Sequence, residues 1–221
     1  MDEAERLMFA GLARLPQFRR KVEQAQAIIK EALEVCPAYV ACSWGKDSLV
    51  VADLVATISP DALVCHVTGP KAELLNNYGE VSAAFCRRHP SVAYRVLGGD
   101  GRPSWEVFSA HAHELPSMAI LGLRAEEAAY RRISLRKYGL IYRYKSGSWR
   151  ACPLAWWGWK DVWAYLVAHG LTYLASYDHP AEECRALSRT SSITTRRGEQ
   201  FGRIERMKRV SPEYYDWWKN V

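Results

Sequence analysis

The stretch ACSWGKDSLVVADLVA, residues 41–56, gathers Ser43, Gly45, Lys46, Asp47 and Ser48 into one tight corner. An apolar run, AYV, stands just before it, and Leu49, Val50, Val51, Leu54 and Val55 follow at spacings that suit a buried helix. A strand, a Ser/Gly-rich turn and a helix in that order offer several backbone N–H groups to an anion at the positive end of the helix dipole. Lys46 adds a mobile cation, and Ser43 and Ser48 add hydroxyl donors. The same residues would also serve a plain N-cap turn in which Asp47 and Ser48 satisfy backbone donors. The Walker A pattern is excluded, because it needs a longer loop with a glycine further upstream. Trp44, in the middle of the corner, is the misfit.

The elements that must position this corner follow from periodicity. Val22, Ala25, Ile28, Ile29 and Leu33 predict a helix over 19–35, stopped by Pro37. AYVACS reads as a buried strand, and the helix after the corner runs to about Ile58, where SPD breaks it. ALVCHVTG is a second strand ending at Gly69, followed by a helical stretch over 72–89. VAYRVLG is a third strand, the turn GGDGRPS leads to a helix from about Ser104 to His113, and SMAILGLR is a fourth strand. Nearly all-apolar strands alternating with helices predict an α/β fold, a parallel twisted sheet with helices on both faces. Ligands collect beyond the carboxyl ends of such strands. SWGKDS, the TG at Gly69 and the GLRAEE that begins at Gly122 all fall at that rim.

After residue 130 the pattern changes. YRRISLRKYGLIYRYKSGSWRACPLAW mixes a basic stretch with a hairpin pattern around Ser146-Gly147, and WKDVWAYLVAHG reads as an amphipathic helix stopped by Gly170. From Asp178 the chain is polar and basic, and residues 185–209 carry Glu199 and Glu205 as their only acidic residues.

With 221 residues, 49% of them hydrophobic and 24% charged, the chain has the balance of a globular domain. Its net charge of +6 favours phosphate-bearing or polyanionic partners. No apolar run is long enough to span a membrane, and the charged start MDEAERLMFAGLARL lacks a signal-peptide core, so the expectation is a cytoplasmic protein. Cys36, Cys42, Cys65, Cys86, Cys152 and Cys184 lie far apart without any C-x-x-C pair, which argues against a zinc ribbon or a familiar iron–sulfur spacing.

SWGKDS resembles the pyrophosphate loop S-G-G-K-D-S of the ATP pyrophosphatase (PP-loop) superfamily, with Trp44 in place of the first glycine. GLRAEEAAYRR, residues 122–132, is similar to the Gly-Leu-Arg segment with paired acidic residues and a following arginine in phosphoadenylylsulfate reductases. CPLAWWGWKDVWAYLVAHGLTYLASYD, residues 152–178, resembles the Trp- and Tyr-rich stretch ending in Tyr-Asp of the same proteins. The resemblance covers roughly residues 38–178. It implies an adenine nucleotide alpha hydrolase-like domain over 1–178 and a basic, helical or irregular extension over 179–221.

The resemblance further implies that ATP is held by Ser43, Trp44, Gly45, Lys46, Asp47, Ser48, Gly69, Gly122, Arg131 and Arg132. Lys46, Asp47 and Arg124 would act at the reacting phosphates. Glu126 and Glu127 would orient the arginines, hold Mg²⁺ or start a helix favourably, with Asp47 and Glu127 as the expected Mg²⁺ ligands. A side chain at position 44 is expected to narrow the loop or to require an ordinary φ. Asp161 and Trp163 are expected to be structural.

Sulfonucleotide reductases of this family use a C-terminal cysteine in a Glu-Cys-Gly-Leu-His type motif. The only late cysteine here, Cys184 in AEECRALSRT, has the Glu but neither the Gly nor the His. The expectation is therefore an ATP pyrophosphatase that releases pyrophosphate and activates an acceptor for sulfur incorporation. The component of bacterial DNA phosphorothioation systems is the nearest fit. The alternatives are a sulfonucleotide reductase and a non-catalytic nucleotide-binding subunit. The implied partners are a nucleic-acid acceptor on the basic tail, a cysteine desulfurase or other sulfur carrier, and modification-complex subunits. A sulfur-transfer enzyme also wants a thiol near the adenylate. Cys152 is the first candidate and Cys184 the second, with Cys42 and Cys65 read as core residues.

Overall fold

The computed structural model describes residues 1–68, 77–98, 104–144 and 147–178, together with 212, 215 and 216. The six-stranded sheet is β1 (Ala38–Cys42), β2 (Leu63–Thr68), β3 (Ala93–Gly98), β4 (Met118–Ile120), β5 (Ile141–Arg143) and β6 (Trp149–Ala151), in the order β3-β2-β1-β4-β6-β5. All neighbours run parallel except β5, which pairs antiparallel with β6 as an edge strand. The expected parallel α/β sheet is therefore present, with one antiparallel edge that the hairpin pattern supplies.

The helices are α1 (Glu3–Ala13), α2 (Pro16–Val35), α3 (Lys46–Ile58), α4 (Tyr78–Arg88), α5 (Ser104–Ala110), α6 (Ala129–Tyr138) and α7 (Trp159–Ala168). The helix expected over 19–35 starts earlier, because Pro16 sits at the first helical position, where its missing N–H costs nothing. The fourth strand is shorter than expected, since the chain leaves the sheet after Ile120 to form the segment that carries Arg124. Gly170 takes φ +59 just beyond α7, as its reading as a helix stop requires.

Side chains that alternate along β1 feed two cores. Val40 and Cys42 join the larger one, built with α2, α3, α4 and α7, while Tyr39 packs in a second with Cys65, Leu97 and Val107 of α5. Helices thus cover both faces. α3 is apolar nearly all round and sunk between the sheet and its neighbours, with Leu49 to Ala56 all buried. No helix among the described residues is long and apolar enough to cross a membrane.

β1 pairs with β2 on one side and with β4 on the other. The chain therefore leaves β1 and β4 in opposite senses, and the crevice beyond their carboxyl ends is a topological switch point. Residues 43–45 follow β1 and residues 121–124 follow β4.

Candidate functional site

The corner at 43–45 is built by its neighbours. The Ser48 hydroxyl accepts from the Ser43 amide at 3.2 Å and donates to the Gly45 carbonyl at 3.0 Å, and the Ser43 hydroxyl lies 3.3 Å away. The Ser48 hydroxyl, read as a ligand donor, is a buried clasp that closes the loop, which leaves Ser48 its amide to offer. Gly45 caps α3 with an extended backbone, and Leu49 closes the first helical bond to its carbonyl. The amides of Gly45, Asp47 and Ser48 have no acceptor among the described residues and form the open positive end of the helix.

Trp44 corrects the expectation of an ordinary φ. It adopts φ +54, the turn a glycine would make, and is the one non-glycine residue with positive φ among the described residues. Such a backbone costs about 1–2 kcal/mol for an L-residue. Burial of the indole offsets it. The ring is fully buried against Phe85 at 5.3 Å, Tyr94 at 5.5 Å and His66 at 6.2 Å, and its Nε1 donates to the Tyr94 hydroxyl at 3.3 Å. The side chain thus leaves the loop for the core and does not narrow it. As a nucleotide contact, Trp44 is left with its backbone alone.

Two buried cations meet at the switch point. Lys46 is 1% exposed, with Nζ 3.1 Å from Asp47 Oδ2. Arg124 is 2% exposed, and its Nε donates to Asp47 Oδ1 at 2.5 Å. Burial works against charge on Asp47, but the Lys46 ammonium and the Arg124 guanidinium together hold its carboxyl below the usual carboxylate range. Arg124 in turn donates through Nη1 to Glu126, and its backbone amide donates to Glu127 Oε2 at 3.1 Å. Burial alone would weaken the Arg124 charge, yet Asp47, Glu127 and Glu126 keep it firmly protonated.

Gly122 makes this meeting possible. A Cβ there would stand 2.7 Å from the Asp47 carbonyl carbon and 2.8 Å from the Ser48 amide nitrogen, so the strand-four loop lies directly on the first turn of α3. Gly122 is a spacing residue, and its ordinary φ shows that room rather than backbone freedom is the reason.

Both glutamates of the pair meet arginines, and Glu126 also meets the first amide of α7. Glu126 joins Arg124 to the start of α7, accepting from the Trp159 amide at 2.7 Å, and Glu127 pairs with Arg131. Arg131 is thereby drawn toward the Arg124 turn, while Arg132 is exposed, with no ion pair among the described residues. Asp47 and Glu127, the expected Mg²⁺ ligands, each meet cations here: Asp47 meets Lys46 and Arg124, and Glu127 meets Arg131. No group of three or more His, Cys, Asp or Glu poised for a metal exists among the described residues.

Cys152 is a correction as well. It is fully buried beside Ala125, Leu135 and Ala155, and burial pushes its thiol up to about 12 despite Arg150 and Arg131 nearby. A thiol in that state is a poor nucleophile and a poor sulfur carrier. Cys42 and Cys65 are buried core residues as expected, with thiols pushed up to about 12 and about 11. Gly69 and Cys184 lie outside the described residues, as does the basic stretch 185–209.

Tyr177 is the residue that sequence reasoning missed. It is buried in the short helical turn Ala175–Asp178, its hydroxyl accepts from the Lys46 amide at 3.3 Å, and Lys46 Nζ stands 5.4 Å from its ring centroid. Trp163 packs edge-on against it at 5.5 Å, and Asp161 caps α7 while binding Lys21 at 2.5 Å, so both are structural as expected. The Tyr-Asp pair that closes the family-like stretch was the available signal.

Residues 109–184 match the phosphoadenosine phosphosulfate reductase domain family. The chain is 26% identical over 170 residues to the adenosine 5'-phosphosulfate reductase of Geobacillus thermodenitrificans, covering 65% of this chain and 69% of that one. It is 23% identical over 218 residues to the corresponding reductase of Oceanobacillus iheyensis, covering 81% and 82%. In three dimensions it is similar to the U34-tRNA thiolase NcsA from Methanococcus maripaludis with its 4Fe-4S cluster. There the TM-score is 0.50 and the identity 15%, over 92% of this chain and 81% of that one, a likeness of fold. The loop after β1, the Arg124 turn after β4 and these matches agree with the resemblance read from the sequence: the chain is similar to phosphoadenylylsulfate reductase-like proteins and has the fold of a PP-loop tRNA thiolase.

Proposed function

We propose that the chain cleaves ATP between its α and β phosphates and transfers AMP to an oxygen of an acceptor that is then sulfurated, with a nucleic-acid backbone phosphate as the favoured acceptor. One observation carries this reading: Lys46 and Arg124, both buried, come from opposite sides of the switch point and meet on the single carboxylate of Asp47 at the open end of α3. A polyphosphate entering there exchanges the Asp47 carboxylate for its own oxygens. The amides of Gly45, Asp47 and Ser48 hold the β and γ phosphates, and Arg124 presents a planar fork to them. The acceptor oxygen bonds to the α phosphorus as the α–β bridging bond breaks, and the electron pair leaves with pyrophosphate. Lys46 and Arg124 meet the charge that develops there, and they are already oriented when it forms. Asp47 is a positioning residue in this scheme.

With Cys152 buried, sulfur delivery falls to Cys184 or to a separate carrier such as a cysteine desulfurase, and the basic stretch 185–209 is the proposed contact to a nucleic acid. The test is incubation with ATP and Mg²⁺. AMP and pyrophosphate are the expected products, and Lys46→Ala should slow their release about 100-fold, the usual cost of losing one donor to a developing charge. ADP and phosphate, or an unimpaired Lys46→Ala protein, would overturn the reading.

A second reading is favoured by the relatives: the two bacterial sequences above are adenosine 5'-phosphosulfate reductases, and the domain match runs as far as Cys184. In that case the Cys184 thiolate attacks the sulfur of a bound adenylylsulfate, the bond from sulfur to the phosphate oxygen breaks and AMP leaves with its electron pair; a dithiol then displaces sulfite from the S-sulfocysteine and is oxidised to a disulfide. Sulfite formation that is lost in Cys184→Ser would establish this reading over the first.

A further inference from the structure

Residues 129–151 make up α6, β5 and β6 and contain no acidic residue, while Arg131, Arg132, Arg136, Lys137, Arg143 and Arg150 are basic. β5 is one of the two edge strands of the sheet, the other being β3. In the hairpin register Tyr142 stands opposite Arg150, and alternation puts Tyr144 on the same face as Tyr142. The end of α6 adds Tyr138, whose ring stacks on Tyr142 with centroids 5.9 Å apart and planes 28° from parallel. The Arg150 guanidinium lies 3.9 Å from the Tyr144 ring centroid, and Lys137 Nζ lies 5.2 Å from that of Tyr138. The result is a row of three tyrosine rings flanked by the Lys137 and Arg150 cations. Tyr138 is 50% exposed and Tyr144 46% exposed. Charge alone is enough to protect a sheet edge from pairing with another chain, and a core would bury the rings. Neither explains half-exposed tyrosines held flat by cations.

We propose that this face binds a single strand of nucleic acid, with bases stacking on Tyr138 and Tyr144 and phosphates meeting Lys137 and Arg150. Single-strand sites combine a basic track with aromatic platforms in this way, and stacking tolerates any base because each has a π face. A duplex hides its bases and can use only the charges. α6 runs about 15 Å from the Arg124 turn to Tyr138, by its rise per residue. A strand on the row therefore lies within one helix length of the nucleotide crevice. Delivery of a backbone phosphate to that crevice rests on the proposed ATP chemistry, whereas binding itself does not.

The test is fluorescence anisotropy of labelled 20-mers of oligo(dT), oligo(U) and a dA·dT duplex with the full chain in the absence of ATP. At least one single strand should bind more tightly than the duplex, and the stronger of the two shows whether the natural strand is DNA or RNA. Tyr138→Ala with Tyr144→Ala should weaken single-strand binding about thirtyfold or more, the lower range expected for two lost stacking contacts. Tyr144→Phe should keep it, since stacking needs the ring and not the hydroxyl. Arg150→Ala should weaken it and flatten its salt dependence. Pyrophosphate release from ATP should be unchanged in the ring variants, and Lys46→Ala should bind the strand as the parent does, which separates failure here from failure of the ATP reading. Equal affinity for the duplex, or ring variants that bind normally, would overturn the proposal.

Discussion

A thiol can carry sulfur only if base and solvent reach it, and Cys152 has neither. Brief alkylation of the native protein at pH 8 should leave Cys152 unmodified until denaturant is added, as mass spectrometry of its peptide would report; rapid native labelling would restore it as a candidate. The sequence suggested it because Cys-Pro opens the family-like stretch, and nothing in one sequence tells that the turn faces α6 and not the crevice. Asp47 gives the site a pH dependence of definite sign. Its carboxyl is held below the unfolded value of about 3.9, so its ionised form contributes stability above that pH. That contribution is lost as pH falls through the depressed folded value. Asp47→Asn should be less stable than the parent at neutral pH, with the gap closing below about pH 4. Acid titration followed by circular dichroism checks this, and a constant gap would contradict it.

At the scale of elements, the contact between the β4 loop and α3 decides whether the two cations can meet. Gly122→Ala places a methyl group against backbone, which cannot swing aside as a side chain would. The first turn of α3 must then shift, and nucleotide binding should weaken at least tenfold with only a modest loss of stability. Wild-type nucleotide affinity in that variant, measured by calorimetry, would show that the loops can part freely. Trp44→Gly should behave in the reverse way. It relieves the left-handed backbone but empties the indole's place among Phe85, Tyr94 and His66, and large aromatic deletions cost about 3–5 kcal/mol. Denaturant unfolding should report a substantial net loss. Strand and helix order was legible because each apolar run has a clear period and each stop has its Pro or Gly. The destination of Trp44 was not legible, because a loop residue's direction is set by a pocket assembled from α4, β2 and β3.

The whole molecule ties its layers together with one buried carboxylate that no motif announced. Asp53, 1% exposed in α3, accepts from Tyr165 Oη of α7 at 2.8 Å and meets Arg88 Nε at 2.9 Å and His89 Nε2 at 2.8 Å at the end of α4. Its periodicity marks it only as another position on a buried helix. Asp53→Ala leaves those partners uncompensated and should cost about 3–5 kcal/mol in denaturant unfolding; a loss under 1 kcal/mol would show that water replaces the carboxylate. The Lys46 amide and the Tyr177 hydroxyl touch across 131 residues of chain. On a translating ribosome, the corner after β1 is therefore made early and finished late. Its strand and helix can form while the rest is still being synthesised, yet the support beneath Lys46 arrives only once the Tyr-Asp turn has cleared the exit tunnel. A half-made chain therefore holds this corner without its last support.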